Sequence, residues 1–260
     1  MPTSARWEMS VFGADVGIGP YDDVLYYPRK QQFSFPIGGY EMLKYPCLVL
    51  DHDDTVVQSE ATVNYPFFVE FLKEYRPGMT ITAHEYISEC YNPGYIPMCR
   101  QRFDFTDEEL EIEYKAWKEH IKHHAPEAYP GIGKVLRRYK EAGGVIIVAS
   151  QSAQENILRD YRLHIGIEPD EIYGWDLAPE HRKPNPYAIW QAQKKYGFST
   201  DQMLVIDDMK TAVQMAKNGG VKIAFAGWGR KEFPEICQEM ERLCQYSFYS
   251  TEELEKFLFD

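Results

Sequence analysis

Asp51 and Asp53 stand two residues apart, directly after the apolar run at 46–50. The run is short and bounded by polar residues, as a strand buried on both faces should be. Asp51 then falls at a strand's carboxyl end, where open α/β sheets place their ligands. Side chains alternate along a strand, so the two carboxylates share one side if the backbone stays extended. Carboxylates that close repel unless a cation or a shared proton intervenes. The pair implies either acid–base and cation chemistry, phosphoryl transfer first among its forms, or the plainer role of capping the following turn.

A second apolar run at 145–149 ends in Ser150, and Ser152 with Glu155 reads as a capping box that opens a helix. A hydroxyl at such a junction, among free backbone N–H groups, can bind an anion. A third run at 203–206 ends in Asp207 and Asp208, with a helical pattern over 211–217. Between the second and third runs Lys183 sits in a Lys-Pro-Asn-Pro segment whose prolines fix the local backbone. Three strands thus bring an acid, a hydroxyl and an acidic pair to one sheet edge, with a cation between.

In this order the four segments resemble the four motifs of the haloacid dehalogenase superfamily, in its phosphatase branch with a helical cap of the first type, similar to phosphoglycolate phosphatases and β-phosphoglucomutases. The likeness runs from about residue 45 to the end. It implies a doubly wound, Rossmann-like α/β core with an inserted α-helical cap. It further implies that Asp51 is the nucleophile and Asp53 the general acid and base. Ser150, with Gln151 beside it, and Lys183 would bind the phosphoryl group. Asp51, the backbone carbonyl of Asp53, Asp208 and, directly or through water, Asp207 would hold Mg2+. A hard cation of this kind neutralises a phosphate ester that otherwise repels nucleophiles.

The expected function is a magnesium-dependent phosphatase acting on a small phosphorylated metabolite through an aspartyl-phosphate. Dehalogenases of the superfamily lack the second acid, which is present here as Asp53. Its mutases carry a histidine early in the cap, and the stretch 59–63 has none. A phosphomutase, a phosphonate-cleaving relative or a non-catalytic binding member is the alternative.

A net charge of −12 over 260 residues argues against nucleic-acid or anionic-membrane partners. No apolar run approaches the ~20 residues of a membrane span, the first residues lack a signal-peptide pattern, and five scattered cysteines suit a reducing cytoplasm. A monomer or homodimer is expected. By subtraction, the cap occupies 58–129, the core 45–57 and 130–260, and an extension 1–44. Thr82 and Thr106 each begin a capping box, and Leu110, Tyr114, Trp117 and Ile121 recur at helical spacing. Arg100 and Arg102 either grip a second anionic group of the substrate or are paired at the surface. His120 and His124, four apart, have zinc-compatible spacing but read better as a solvated helix end. His52 should point away from the two acids and pack. The extension is rich in aromatics, and 26–35 reads as an edge strand or hairpin.

Overall fold

The computed structural model describes residues 42–260. The expected edge strand at 26–35 lies outside the described residues. Six strands form one parallel sheet: β1 (Cys47–Leu50), β2 (Val145–Ala149), β3 (Glu171–Tyr173), β4 (Met203–Asp207), β5 (Lys222–Ala226) and β6 (Tyr246–Phe248), in the spatial order β3-β2-β1-β4-β5-β6. The winding reverses between β1 and β4. That reversal opens a crevice beyond the strands' carboxyl ends, where doubly wound sheets bind ligands.

Strand parity divides the core. Leu48, Leu50, Ile146, Val148, Leu204 and Ile206 face one side. There they meet Ile132, Val135 and Leu136 of α5 (Ile132–Glu141) and Leu254 and Leu258 of the last helix, Thr251–Phe259. Cys47, Val49, Ile147, Met203 and Val205 face the other side, against Ala188 and Ile189 of the helix Tyr187–Tyr196 and Ala212 and Met215 of the helix Lys210–Gly219. Both faces are covered, which is why the strands read as continuous apolar runs rather than alternating ones. The two edge strands have three residues each, and short edges offer little template for further pairing.

Between β1 and α5 the chain forms helices α1 (Tyr65–Tyr75), α2 (Ala83–Glu89), α3 (Tyr95–Phe103) and α4 (Asp107–His123). Thr82 and Thr106 cap α2 and α4 in reciprocal capping boxes with Glu85 and Glu109. Phe68, Leu72, Tyr86, Met98, Phe103 and Phe105 build an apolar cluster of their own, which continues into Phe233, Ile236 and Met240 beyond β5. Among the described residues no helix is long and apolar enough to cross a membrane.

One acid sits inside this helical layer. Glu113 of α4 is 6 % exposed, and burial pushes its carboxyl up to about 7 against the favourable hydroxyl of Tyr95. A carboxyl raised in the folded state favours folding below its unfolded value, and that advantage is lost as pH rises toward 7. Glu113→Gln is therefore expected to leave stability nearly unchanged near pH 4.5 and to raise it at pH 8, on the order of 3 kcal/mol. Denaturant unfolding at the two pH values checks this, and an equal effect at both would refute it.

Candidate active site

Register sets the first pair. Leu50 lies opposite Ile206, so Asp51 and Asp207 leave the sheet side by side, and the Asp51 amide donates to the Ile206 carbonyl at 2.9 Å. The chain then turns at once: the amides of Val56 and Val57 both donate to the His52 carbonyl, at 2.8 and 3.1 Å. Asp54 takes the left-handed backbone conformation, with φ 53°. Aspartate tolerates that region better than most residues, and its side chain here is tied on both oxygens. Oδ1 accepts the Glu60 amide at 3.3 Å and Oδ2 accepts Arg230 at 3.0 Å.

Four buried carboxylates face two cations. The Lys183 ammonium donates to Asp51 Oδ1 at 2.5 Å and to Asp207 Oδ2 at 2.7 Å, while Asp207 Oδ1 accepts the Met209 amide at 2.8 Å. Arg230, 4 % exposed, reaches Asp208 and Asp54. Burial alone would depress the Lys183 ammonium, but Asp207 and Asp51 hold it above its ordinary range. Burial, then the neighbouring Asp207, pushes the Asp51 carboxyl up, and burial lifts Asp207 to about 6. Asp51, Asp207 and Asp208 each offer an oxygen within 4.8 Å of the others. Asp208 Oδ1 is buried with no hydrogen-bond partner. A converging set of hard, under-neutralised oxygens with one orphaned among them fits a hard divalent cation.

Asp53 stands apart from that trio. Its Oδ2 accepts the hydroxyls of Ser150 at 3.2 Å and Ser152 at 2.6 Å. The backbone does not stay extended past Asp51, so the shared side expected from alternation gives way to a turn that aims Asp53 toward β2. Ser152 was expected to cap the next helix. Instead that helix, Gln154–Asp160, has Ala153 at its N-cap with no side-chain bond, and Asp176 accepts the Gln154 amide at 2.7 Å. Ser150 is buried, accepts the Ser152 amide at 3.1 Å and so lies in the site, whereas Gln151 beside it is exposed.

His52 points away from the acids, yet it does more than pack. Its Nε2 lies 3.1 Å from the buried Asp160 carboxylate, which also accepts Arg159 at 2.7 Å, and its ring stacks on Tyr161. Arg100 pairs with Asp107 at 2.5 Å and Arg102 with Glu85 and Glu89, all within the helical layer. His120 and His124 stack on each other, ring centres 3.8 Å apart. Above Asp53 and Ser152 lies a cavity of about 30 Å³, roofed by Asn64, Trp117 and His124. Trp117 donates its indole N–H to Asn64 at 2.9 Å, fixing that roof.

Sequence reasoning missed Ser152, Asp54 and Arg230. Arg230 directly follows the segment Gly227–Gly229 that ends β5, and a charged residue just beyond a core strand's carboxyl end was the available signal.

A family model described as haloacid dehalogenase-like hydrolase matches residues 48–226. The phosphoglycolate phosphatase of Pseudomonas savastanoi pv. phaseolicola is 26% identical over 138 residues, 52% of this chain and 49% of that protein. The pyrophosphatase PpaX of Halalkalibacterium halodurans is 23% identical over 185 residues, 70% of this chain and 83% of that protein. The chain spans about half the length of the phosphoglycolate phosphatases it matches. Among solved structures, a HAD family hydrolase from Deinococcus radiodurans R1 with bound phosphate and sodium has a TM-score of 0.64, covering 84% of this chain and 99% of that one at 18% identity, a likeness of fold.

Removing the shared cation should expose the cost of the acidic trio. Lys183→Met is expected to destabilise the fold by about 3–5 kcal/mol, because two buried carboxylates lose their partner. Excess divalent cation should restore part of the loss. Thermal unfolding with and without chelator reads both effects, and an unchanged melting temperature would contradict the pairing.

Proposed function

The chain belongs to the haloacid dehalogenase-like hydrolases, and from that membership we propose that it is a magnesium-dependent phosphatase, hydrolysing a small phosphorylated metabolite through an aspartyl-phosphate. The observation that carries this is Lys183 bridging Asp51 and Asp207 inside a buried acidic cluster, with Asp53 and Ser150 beside it. A buried carboxylate steered by a lysine and flanked by a second acid suits covalent phosphoryl transfer.

Asp51, Asp208, the Asp53 carbonyl and, directly or through water, Asp207 would hold the magnesium, which when bound neutralises the phosphoryl oxygens and the attacking carboxylate. Asp51 attacks phosphorus as the bond to the leaving oxygen breaks, and Asp53 gives that oxygen its proton. Asp53, now a carboxylate, takes a proton from water. The water oxygen attacks phosphorus and releases Asp51 and inorganic phosphate. Lys183 and Ser150 hold phosphoryl oxygens, and Lys183 also fixes the attacking side chain.

Asp53 shares this work with its own restraint. It accepts the hydroxyls of Ser150 and Ser152, so a phosphoryl group arriving at Ser150 would take that donor and leave Asp53 held by Ser152 beside the leaving oxygen. Gln151, exposed beside Ser150, would offer a further polar group to the phosphoryl oxygens.

Residues 58–129 serve as the lid, 45–57 and 130–260 as the core, and 1–44 as an extension. The cavity under Trp117 holds only about one or two waters. A phosphate ester would need more room beside Asp53 than this, which movement of such a lid would provide, and its closure would exclude water. Relatives named for phosphoglycolate and pyrophosphate hydrolysis favour small anionic substrates. The five unpaired cysteines suit the cytoplasm.

Phosphate release across sugar phosphates, phosphoglycolate, nucleotides and pyrophosphate is the test, with magnesium and with chelator. Release is expected to need the metal and to vanish in Asp51→Asn with the fold intact. Substantial turnover by that variant would sink the assignment. Asp53→Asn is expected to lose far more rate on alkyl than on activated aryl esters, since a good leaving group needs little protonation; equal losses would remove Asp53 from the acid role.

A further inference from the structure

Arg230 is a buried cation that the chemistry above does not use. Its guanidinium sends two N–H groups to one oxygen: Nε lies 2.9 Å and Nη2 2.5 Å from Asp208 Oδ2, and Nη2 also lies 3.0 Å from Asp54 Oδ2. A guanidinium facing a carboxylate squarely would engage both oxygens in a fork. Here it crowds onto one, and Asp208 Oδ1 is left buried without a partner. The backbone aims it so. Arg230 follows the tight turn Gly227–Gly229, where Trp228 donates to the Thr55 carbonyl at 3.0 Å. At Gly229 a Cβ would run into the Tyr129 hydroxyl and lie 3.3 Å from the Asp54 carbonyl, so only glycine lets this turn press against the loop after β1.

We propose that Arg230 is a positioning residue: anchored through Asp54 to the loop after β1, it pins one oxygen of Asp208 and thereby presents the other to the divalent cation shared with Asp51 and Asp207. This rests on the metal site proposed above. The competing account is that Arg230 merely offsets the charge of two buried acids. The two accounts differ in sign. A neighbouring positive charge repels a bound cation, so if charge balance were its whole role, Arg230→Gln would bind metal more tightly than the wild type. If Arg230 positions Asp208, the freed carboxylate turns away and the same variant binds more weakly. Arg230→Lys keeps the charge but loses the planar edge that delivers two N–H groups to one oxygen and a third bond to Asp54.

The experiment is titration of the full chain, free of substrate, with Mn2+ or Mg2+ alone. Calorimetry and the electron paramagnetic resonance of free Mn2+ are the readouts, with thermal unfolding alongside. We expect the dissociation constant to rise about 10–100-fold in both variants, the range for partners that orient metal ligands. Apparent metal activation of turnover should shift in parallel, with substrate KM at saturating metal little changed. If the wild type binds no divalent cation, the metal site itself falls, and this inference with it. If the wild type binds and either variant binds as tightly or more tightly, the metal site stands and the positioning role is overturned. Should Arg230→Gln fail to fold, Arg230→Lys alone decides by the same comparison.

Discussion

Buried negative charge is the constraint on which the rest of the structure hangs. Asp51, Asp54, Asp207 and Asp208 are at most 5 % exposed, and carboxylates removed from water are costly unless paired. Two cations answer them, and each spans two segments. Lys183 joins the end of β1 to the end of β4 through Asp51 and Asp207, and Arg230 joins the loop after β1 to the loop after β4 through Asp54 and Asp208. The two cross-links brace the same pair of segments, at Asp207 and Asp208 where β4 ends and at Asp51 and Asp54 after β1. Four acids against two bases leave an acidic excess, which suits the divalent cation proposed for the site although Lys183 and Arg230 are both present.

The sheet supplies the other half of this placement. Because β1 and β4 pair directly and in register, Asp51 and Asp207 meet without any adaptation of the backbone. Ser150 arrives from β2 on the opposite flank of β1. Loops supply Asp53, Asp54 and Asp208, with Ser152, Lys183 and Arg230, and side-chain hydrogen bonds rather than the sheet ladder hold these residues in place. Under the proposed mechanism, rigid strands fix the acid that would attack, while side-chain contacts hold the acid whose proton would travel. This division matches what each group is asked to do.

Much of the fold was readable because its signals are local. The three core runs are short, apolar and bounded, and each became a strand within a residue or so of its expected limits. Thr82 and Thr106 cap helices as their spacing implied. Ser152 shows where such local logic fails. Its spacing to Glu155 fits a capping box, but Asp53 is within reach across the sheet and Asp176 takes the vacated helix amide. A charged acceptor outcompetes a neutral backbone contact for the hydroxyl. Arg100 and Arg102 were open between substrate and surface, and acids within the same helical layer claim both. His52, read as packing, finds Asp160, more than a hundred residues away in sequence.

Arg230 is the strongest case of a residue hidden from sequence. Its place just beyond a core strand is a weak mark, and its neighbours along the chain do not reveal its partners, since both acids come from distant segments, Asp54 after β1 and Asp208 after β4. The nearest sequence sign is negative: Gly227 and Gly229 flank Trp228 where side chains would block close approach of two loops. Glycine there tells of crowding but not of what crowds. In the proposed mechanism, the motifs of a nucleophile, a hydroxyl, a lysine and an acidic pair mark groups that would meet the substrate or its cation directly. The group that aims one of those acids leaves no such pattern, because its requirement is a position in space that several chain paths could satisfy. A site of this kind is thus legible in its reacting atoms and illegible in its supports, and the supports are where relatives with the same reacting atoms have room to differ in metal affinity.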